Sequence, residues 1–452
     1  MIHKFTQNGL YIVLDVNSGA VHLVDPCVYN LIDYIHTPMQ PDCPTEALSN
    51  LANDFPESDI IDAYYELYEL YNAGLLFTED NYKSFAEKLG PAPIKSMCLN
   101  IAHDCNLRCG YCFAAQGDFK HGRKLMPFEV GKTAIDFLIS HSANRVNLEV
   151  DFFGGEPLMN FDVVVKIVKY ARSIEKINHK IFRFTITTNG LLLNEDKIEF
   201  INKEMSNVVL SIDGRPEIND RLRYKTDGNG CYNNIVPKYK ELVSKRNGKE
   251  YYVRGTYTKY NLDFTNDVLH LLNLGFDQIS IEPVITDDDK PYSLSSDNLT
   301  RIFDEYNFLA KEILMRKKRG EGFNFFHFML DLDQGPCAIK RLRGCSCGNE
   351  YVAVTPEGDI YPCHQFVGMD EWKMGNVINN ELDQKMKYYF SSANIYAKEK
   401  CNDCWAKFYC SGGCNANNFQ HSGDILKPDE LSCAIEKKRL ECAIMIKAAL
   451  AD

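Results

Sequence analysis

The sequence predicts an α/β protein built around a parallel sheet curled into a partial (β/α)6 barrel. A winged-helix-like unit precedes the barrel and a cysteine-rich region follows it. Three observations carry this expectation. Six apolar strand-like runs recur between residues 94 and 320, ending in polar or glycine-rich loops with helical stretches between them. Residues 1–80 hold 13 acidic side chains and one basic one, Lys4, so the net charge of −12 resides in that segment. Ten of the 17 cysteines lie between residues 337 and 442, in a loop-rich stretch whose weak apolar pattern calls for metal staples.

In the N-terminal unit, "LYIVLDVNSGAVHLVD" reads as two strands around the turn residues Asn17-Ser18-Gly19. Asp25 is a candidate N-cap with Pro26 at the first helical position. Further helices fit Thr45–Asp54 and Ser58–Asn72, the second ended by Gly74, and "LLFT" could close the unit as a strand. Residues 81–93, with Gly90-Pro91 and Pro93, read as a linker. Acidity argues against nucleic acid as a partner and for a basic one.

The barrel strands are "SMCLNIA", "VNLEVDFF", "FRFTITT", "NVVLSID", "YYVRGTYTK" and "QISIEPV", and a helix near Asp297–Arg319 closes the region. In such folds chemistry sits on the loops after the strands' C-terminal ends. The unusual residues fall there: three cysteines after the first strand, Gly-Gly-Glu-Pro after the second, Thr-Asn-Gly after the third and Asp-Gly after the fourth.

The chain has 452 residues and 45% hydrophobic content, enough for two or three cored domains. No run reaches membrane-span length, and the N-terminus lacks a signal-peptide pattern, so a cytoplasmic protein is expected. In a reducing compartment, clustered thiols more often bind metal or do chemistry than form disulfides. Cys27, Cys43, Cys98, Cys231 and Cys442 stand alone and read as small apolar core residues. The other twelve are clustered.

Cys105-x3-Cys109-x2-Cys112 offers three thiols from one loop. A structural zinc wants four ligands and would need a distant one, such as His103. A 4Fe–4S cube held by three thiolates keeps one iron open to a small molecule. With Tyr111 before the last cysteine, this loop resembles the cluster loop of radical S-adenosylmethionine (SAM) enzymes. The resemblance continues in order along the strands. Gly154, Gly155 and Glu156, before Pro157, resemble the segment that receives the methionine amino group. Thr188 and Asn189 match adenosine contacts, and Ser211 resembles the serine near the ribose. Arg223 matches an arginine for the methionine carboxylate, with Arg221 as its competitor, and Glu282 to Val284 resembles the segment beside adenine. The resemblance covers residues 94–320. It implies that a reduced cluster cleaves the sulfonium and that a 5′-deoxyadenosyl radical takes a hydrogen from the substrate. Cys105, Cys109 and Cys112 would then be both metal ligands and catalytic.

Cys401-x2-Cys404-x5-Cys410-x3-Cys414 with Cys433, preceded by "CSCGNEYVAVTPEGDIYPC", resembles the SPASM auxiliary-cluster domain, here residues 321–452. By itself the set Cys401, Cys404, Cys410 and Cys414 reads as zinc, and the barrel upstream turns the reading to an auxiliary cluster. In the related sulfatase-maturating enzymes the ligands cross between sets. Carried over, Cys401, Cys404, Cys410 and Cys433 would hold one cluster. Cys414 would join Cys345 and Cys363 on the other, with Cys337, Cys347 or a substrate cysteine as the fourth ligand. That makes three 4Fe–4S clusters with SAM. The inner cluster is expected to keep an open iron that could take a substrate thiolate.

The whole chain looks most like SCIFF-peptide maturases of the CteB type, which form thioether links in short Cys-rich peptides. The resemblance implies a ribosomally made precursor whose basic leader binds residues 1–80 as an added strand. It also implies a flavodoxin- or ferredoxin-type reductant. His364, directly after Cys363, could assist proton removal or simply support its neighbour. Three rivals stay open: a formylglycine-forming oxidase of the sulfatase-maturase kind, a maturase forming carbon–carbon links, and a zinc-binding regulator.

Overall fold

A computed structural model describes residues 1–287, 289–332 and 338–451. At the N-terminus, β1 (Ile2–Gln7), β2 (Leu10–Asp15) and β3 (Val21–Val24) form an antiparallel sheet in that order. Asp15 closes the β2–β3 turn by accepting from the Asn17 and Ser18 amides at 3.1 and 2.9 Å. Three helices follow: α1 (Pro26–Leu31), α2 (Thr45–Leu51) and α3 (Glu57–Asn72). Asp25 caps α1 by accepting from the Val28 amide at 2.9 Å. Leu31, Ile60, Leu67 and Leu76 build a separate core here.

Two expectations change. "LLFT" is no strand: Asp15 captures the Thr78 amide at 2.9 Å and His22 reaches the Leu75 carbonyl at 3.2 Å, so side chains hold the segment. β1 was not anticipated, because "IHKFTQ" lacks a clean apolar alternation. Residues 81–93 include a short helix, α4 (Lys83–Ala86), and the segment is packed down. The Tyr82 ring lies 5.0 Å from that of Phe408.

The central sheet runs through β4 (Ser96–His103), β6 (Asn147–Gly154), β7 (Ile181–Thr188), β8 (Asn207–Ser211), β9 (Tyr252–Tyr257), β10 (Gln278–Pro283) and β11 (Asn324–Phe325), all parallel, with the short β5 (Lys124–Leu125) antiparallel to β4. The helices between and after them are α5 (Phe128–His141), α6 (Phe161–Asn178), α7 (Glu195–Glu204), α8 (Pro216–Leu222), α9 (Tyr232–Ser244), α10 (Thr265–Asn273) and α11 (Leu299–Lys318). Alternation along β6 sorts its two faces. Leu148, Val150 and Phe152 are fully buried in one core with Ala134 and Leu138 of α5 and Val164 and Ile167 of α6. Glu149, Asp151 and Phe153 take the other face, toward the lumen of the partial barrel.

The C-terminal region begins with α12 (Ala338–Arg343). Its β12 (Tyr351–Val354) pairs in parallel with β4, placing Tyr351 beside Ser96 and Ala353 beside Cys98. β13 (Asp359–Tyr361), β14 (Gly375–Asn376) and β15 (Glu381–Leu382) extend the same sheet, so the cysteine-rich region is built onto the barrel edge. Five helices complete it: α13 (Gln384–Ser392), α14 (Glu399–Asn402), α15 (Lys407–Cys410), α16 (Asn415–Ser422) and α17 (Glu430–Ala451). α17 was not foreseen from sequence. Leu440, Cys442, Ala443, Ile444, Met445 and Ile446 are all buried, so the helix shows no one-sided apolar stripe. Among the described residues, no helix is long and apolar enough to cross a membrane.

Candidate active site and thiol groups

The three-cysteine loop leaves β4 at its C-terminal end and is pinned from outside. The Arg108 and Gly110 amides donate to the Tyr224 and Leu222 carbonyls, both at 2.8 Å, and the Tyr292 hydroxyl donates to the Gly110 carbonyl at 2.7 Å. This pairing fixes the segment that ends α8, and with it Arg223. Cys105, Cys109 and Cys112 are half-buried and unbridged, and each lies in the field of its neighbours. Burial pushes the Cys105 and Cys109 thiols up to about 12, and Arg223 works in the opposite direction at both.

Arg223 is buried, and its Nη1 donates to the Tyr111 hydroxyl at 3.0 Å. That hydroxyl sits 2.8 and 2.7 Å from the two oxygens of Asp213, to which it donates. Asp213 also accepts from the Thr256 amide at 3.0 Å. Burial raises its carboxyl to about 6 despite Arg223. Arg223 Nε is buried without a partner, an orphan donor in a cradle that faces the cysteine loop. Arg221 turns away and lies 3.4 Å over the Tyr260 ring. The sequence marks the Asp213-Gly214 pair by its place after the fourth strand but assigns Asp213 no role, because an Asp-Gly pair is also an ordinary turn signal.

The Gly-Gly-Glu-Pro segment follows β6. A side chain at Gly154 would collide with the Ala102 backbone, and one at Gly155 with the Asp104 carbonyl. These glycines let two loops meet. Glu156 is fully buried and accepts from the Leu158 amide (2.9 Å), the Thr188 hydroxyl (2.8 Å) and the Asn189 amide (2.8 Å). Burial raises it to about 7 against those donors. Glu156 and Thr188 are therefore committed to each other. Asn189 Nδ2 reaches Asn106 at 2.8 Å and the Cys105 sulfur at 3.6 Å.

Ser211, the last residue of β8, is half-buried, and its carbonyl accepts from the Tyr239 hydroxyl at 3.0 Å. Val284 is buried, with its amide on the Tyr257 carbonyl at 2.9 Å. Glu282 pairs with Arg254 at 2.9 Å and lies 3.8 Å from His327. Burial opposes its charge, but His327, Arg254 and Arg439 outweigh it and hold the carboxyl at about 2. His364 lies between the Phe153 and Phe113 rings, 5.0 and 5.5 Å away, with Nδ1 3.2 Å from the Tyr351 hydroxyl. Burial lowers it to about 4, so it is neutral at pH 7.

The remaining thiols gather in two groups that cross the order of the chain. Cys347 feels Cys345, Cys363 and Cys414, and Cys363 feels Cys414 and Cys345. Cys347 hydrogen-bonds Cys345 and lowers its thiol from the ordinary range, against the opposing effect of burial. The structure thus brings a fourth thiol, Cys347, to the inner set, where an open position was expected; Cys337 lies outside the described residues. Lys398 and Asn415 stand beside this group: Lys398 Nζ donates to Asn415 Oδ1 at 2.7 Å, and Asn415 Nδ2 reaches the Cys347 sulfur at 3.5 Å. Neither carries a sequence signal. In the outer set, Cys433 feels Cys401 and Cys404, and Cys410 feels Cys433 and Cys401.

Among the described residues no three His, Cys, Asp or Glu side chains could hold a single metal ion. His103 points away from the cysteine loop: it stacks on Phe119 at 4.6 Å, and its charged neighbours are Glu357, His121, Lys124 and Asp118. Three groups of three, four and four thiols, with no imidazole among them, fit iron–sulfur clusters.

Comparison with known proteins agrees. A family model of a 4Fe-4S single cluster domain matches residues 96–237, and the SPASM iron-sulfur cluster-binding domain matches residues 345–405. An uncharacterized protein of Methanocaldococcus jannaschii, MJ0907, is 30% identical over 68% of this chain and 96% of its own length. A cysteine-type anaerobic sulfatase-maturating enzyme of Clostridium novyi is 26% identical over 72% of this chain and 89% of its own. The radical SAM cyclopropyl synthase TigE of Paramaledivibacter caminithermalis is 21% identical over 95% and 88%. Among solved structures, anSMEcpe with bound AdoMet and Kp18Cys peptide superposes with a TM-score of 0.67 at 21% identity, covering 80% of this chain and all of that one. Streptococcus suis SuiB bound to its precursor peptide SuiA gives 0.52 at 17% identity, covering 95% and 98%.

Proposed function

Because this chain belongs to the radical SAM proteins that carry a SPASM domain, we propose that it is a peptide maturase. In this reading it forms intramolecular thioether links, from a cysteine sulfur to an α-carbon, in a ribosomally made Cys-rich precursor. The acceptor is threonine by family resemblance. The observation that carries the peptide reading is the acidic unit at residues 1–80. The matches to TigE and SuiB cover 95% of the chain and so must take in most of that unit. SuiB is a protein whose structure holds a precursor peptide. A basic leader would lie on this unit as an added strand, drawn there by charge.

Cys105, Cys109 and Cys112 would hold the cluster that, with SAM, supplies radical chemistry. Cys345, Cys347, Cys363 and Cys414 would hold the inner auxiliary cluster, and Cys401, Cys404, Cys410 and Cys433 the outer one. A flavodoxin- or ferredoxin-type protein would deliver electrons. Within the chain, Arg223 offers its free Nε to the methionine carboxylate, with the Tyr111–Asp213 pair holding the guanidinium in place. Glu156 orders the strand ends through Thr188 and Asn189. Asn189 and Ser211 remain at the mouth for the nucleoside. Phe113, Phe153 and His364 wall the lumen and keep water from the reacting carbon.

The test is an anaerobic incubation of reconstituted protein, SAM and reductant with a synthetic Cys-rich peptide behind a Lys-rich leader. Reduction, alkylation and mass spectrometry should report loss of a hydrogen pair and one fewer alkylatable thiol. The sulfatase-maturating relatives favour a second reading, conversion of cysteine to formylglycine. That product would be trapped by a carbonyl reagent and would contain no link. A carbon–carbon link would leave every thiol alkylatable.

A further inference from the structure

Two carboxyls on the lumen face of β6 have no assigned role, and of these Glu149 is exposed near the start of the strand while Asp151 lies deeper. It sits mid-strand on β6, on the same face as Phe153, which packs against His364. Its register neighbours are Cys98 on β4 and Thr185 on β7. It is half-buried, so its carboxyl is not sealed off by its neighbours. The groups that face it are Glu149 on its own strand, Cys98, Tyr351 from β12, and Thr185, whose hydroxyl donates the one side-chain hydrogen bond recorded at this carboxyl among the described residues. None is a cation, and among the described residues Asp151 has no ion pair.

We propose that Asp151 is the catalytic proton acceptor of this chain, taking the proton of the substrate thiol as that sulfur closes onto the radical carbon. This rests on the reading above of a thiol-bearing peptide. The thiol S–H bond breaks and a carboxyl O–H bond forms. The sulfur pair becomes the carbon–sulfur bond, and the one surplus electron leaves to an acceptor of the iron–sulfur class.

The other acidic and basic groups near the mouth suit this role less. Glu282 is spoken for by Arg254 and is held at about 2, too weak a base. Glu156 already accepts three hydrogen bonds, and Asp213 serves Tyr111. His364 shares its Nδ1 with Tyr351. Burial, and then the like charge of Glu149, raise Asp151 to about 7, where a carboxylate is both available and basic.

The experiment compares wild type, Asp151→Asn and Asp151→Glu, all reconstituted, on a Cys-rich peptide deuterated at its α-carbons. Asp151→Asn should still move deuterium into 5′-deoxyadenosine, while product forms at least about 100-fold more slowly. Asp151→Glu should recover part of that rate. Wild-type product formation should rise with pH through about 7, a limb that Asp151→Asn lacks. Independently of turnover, infrared difference spectra of wild type against Asp151→Asn should show a protonated-carboxyl band that fades as pH rises through the same range. Product at the wild-type rate from Asp151→Asn, or equal loss of deuterium transfer and product, would overturn the assignment. A wild-type protein that leaves the peptide unmodified would overturn the maturase reading and the assignment with it.

Discussion

Arg223 places a buried guanidinium with one unpaired N–H beside the cysteine loop. A charge-assisted hydrogen bond to a carboxylate is worth about 1.5–3 kcal/mol. Arg223→Lys keeps the charge but loses the fork, so SAM binding should weaken roughly 10- to 100-fold. Equilibrium dialysis on the reconstituted protein checks this, and unchanged affinity would remove Arg223 from the carboxylate site. Cys347 makes a second case. If its group holds a cluster, Cys347→Ala leaves that cluster three thiolates, so in the three-cluster reading reconstituted iron should fall by no more than about a third, and the iron so opened should bind added thiolate and change the EPR spectrum of the reduced protein. Cys442→Ala should leave iron untouched, because that thiol is buried against Gln7 and Tyr306. Spacing alone separates these two, because Cys442 stands by itself and Cys347 lies two residues from Cys345. What spacing does not encode is that the distant segments carrying Cys363 and Cys414 return to meet Cys347. The choice between Arg221 and Arg223 is similar. Two residues apart on a helix end, they diverge because Tyr260 offers one a ring and Tyr111 offers the other a hydroxyl.

At the scale of elements, β6, β7, β8 and β9 were legible because they alternate on a sheet with one face against helices, while β4, buried at every residue, was legible as a short apolar run. α17 and β1 were not, since a helix buried on all sides and a short polar strand lack a period to read. The loops show why the Gly-Gly-Glu-Pro motif has its form. A methyl group at Gly155 would enter the Asp104 carbonyl, one residue before Cys105. Backbone cannot yield cheaply, so Gly155→Ala should displace the cysteine loop, while the C-terminal thiols, which meet that region through His364 on Phe113, sit on segments of their own. Overpacking of this kind costs about 1–3 kcal/mol. Reconstituted Gly155→Ala should bind roughly two-thirds of wild-type iron and fail to cleave SAM. Full iron with full SAM cleavage would mean that the two loops tolerate separation.

At the scale of the whole molecule, the acidic N-terminal unit is fastened to the cysteine-rich region and not merely tethered to it. His3 stacks on Trp405 at 3.8 Å, and Gln7 donates to the Cys442 sulfur at 3.2 Å and to Asn307 of the barrel helix α11 at 2.9 Å. At the far edge of the unit, Asp80 accepts from Lys407 Nζ at 2.8 Å and from the Tyr396 hydroxyl at 2.6 Å. The Lys407 side chain is only 5% exposed and that of Asp80 23%. Removing the carboxylate leaves a buried ammonium with the Asn402 carbonyl at 3.1 Å and the Phe408 and Tyr396 rings at 5.1 and 5.6 Å. Breaking a fully buried pair costs about 3–5 kcal/mol, and the partial exposure of Asp80 brings the expected cost of Asp80→Ala to about 2–3 kcal/mol. The pH dependence follows from the same pair. Burial opposes the Asp80 charge, but Lys407 and Tyr396 more than offset it, so the folded carboxyl titrates below its ordinary value. Its contribution is therefore present above the ordinary carboxyl range, about pH 4, and is lost as pH falls through the lowered value. Urea denaturation should show Asp80→Ala less stable than wild type at pH 7, with the gap closing on acidification. Limited proteolysis should cut the variant first within residues 81–93. A gap that holds constant with pH would mean that the substitution acts through packing alone, and a loss below about 0.5 kcal/mol would mean that the unit is held by its aromatic contacts instead.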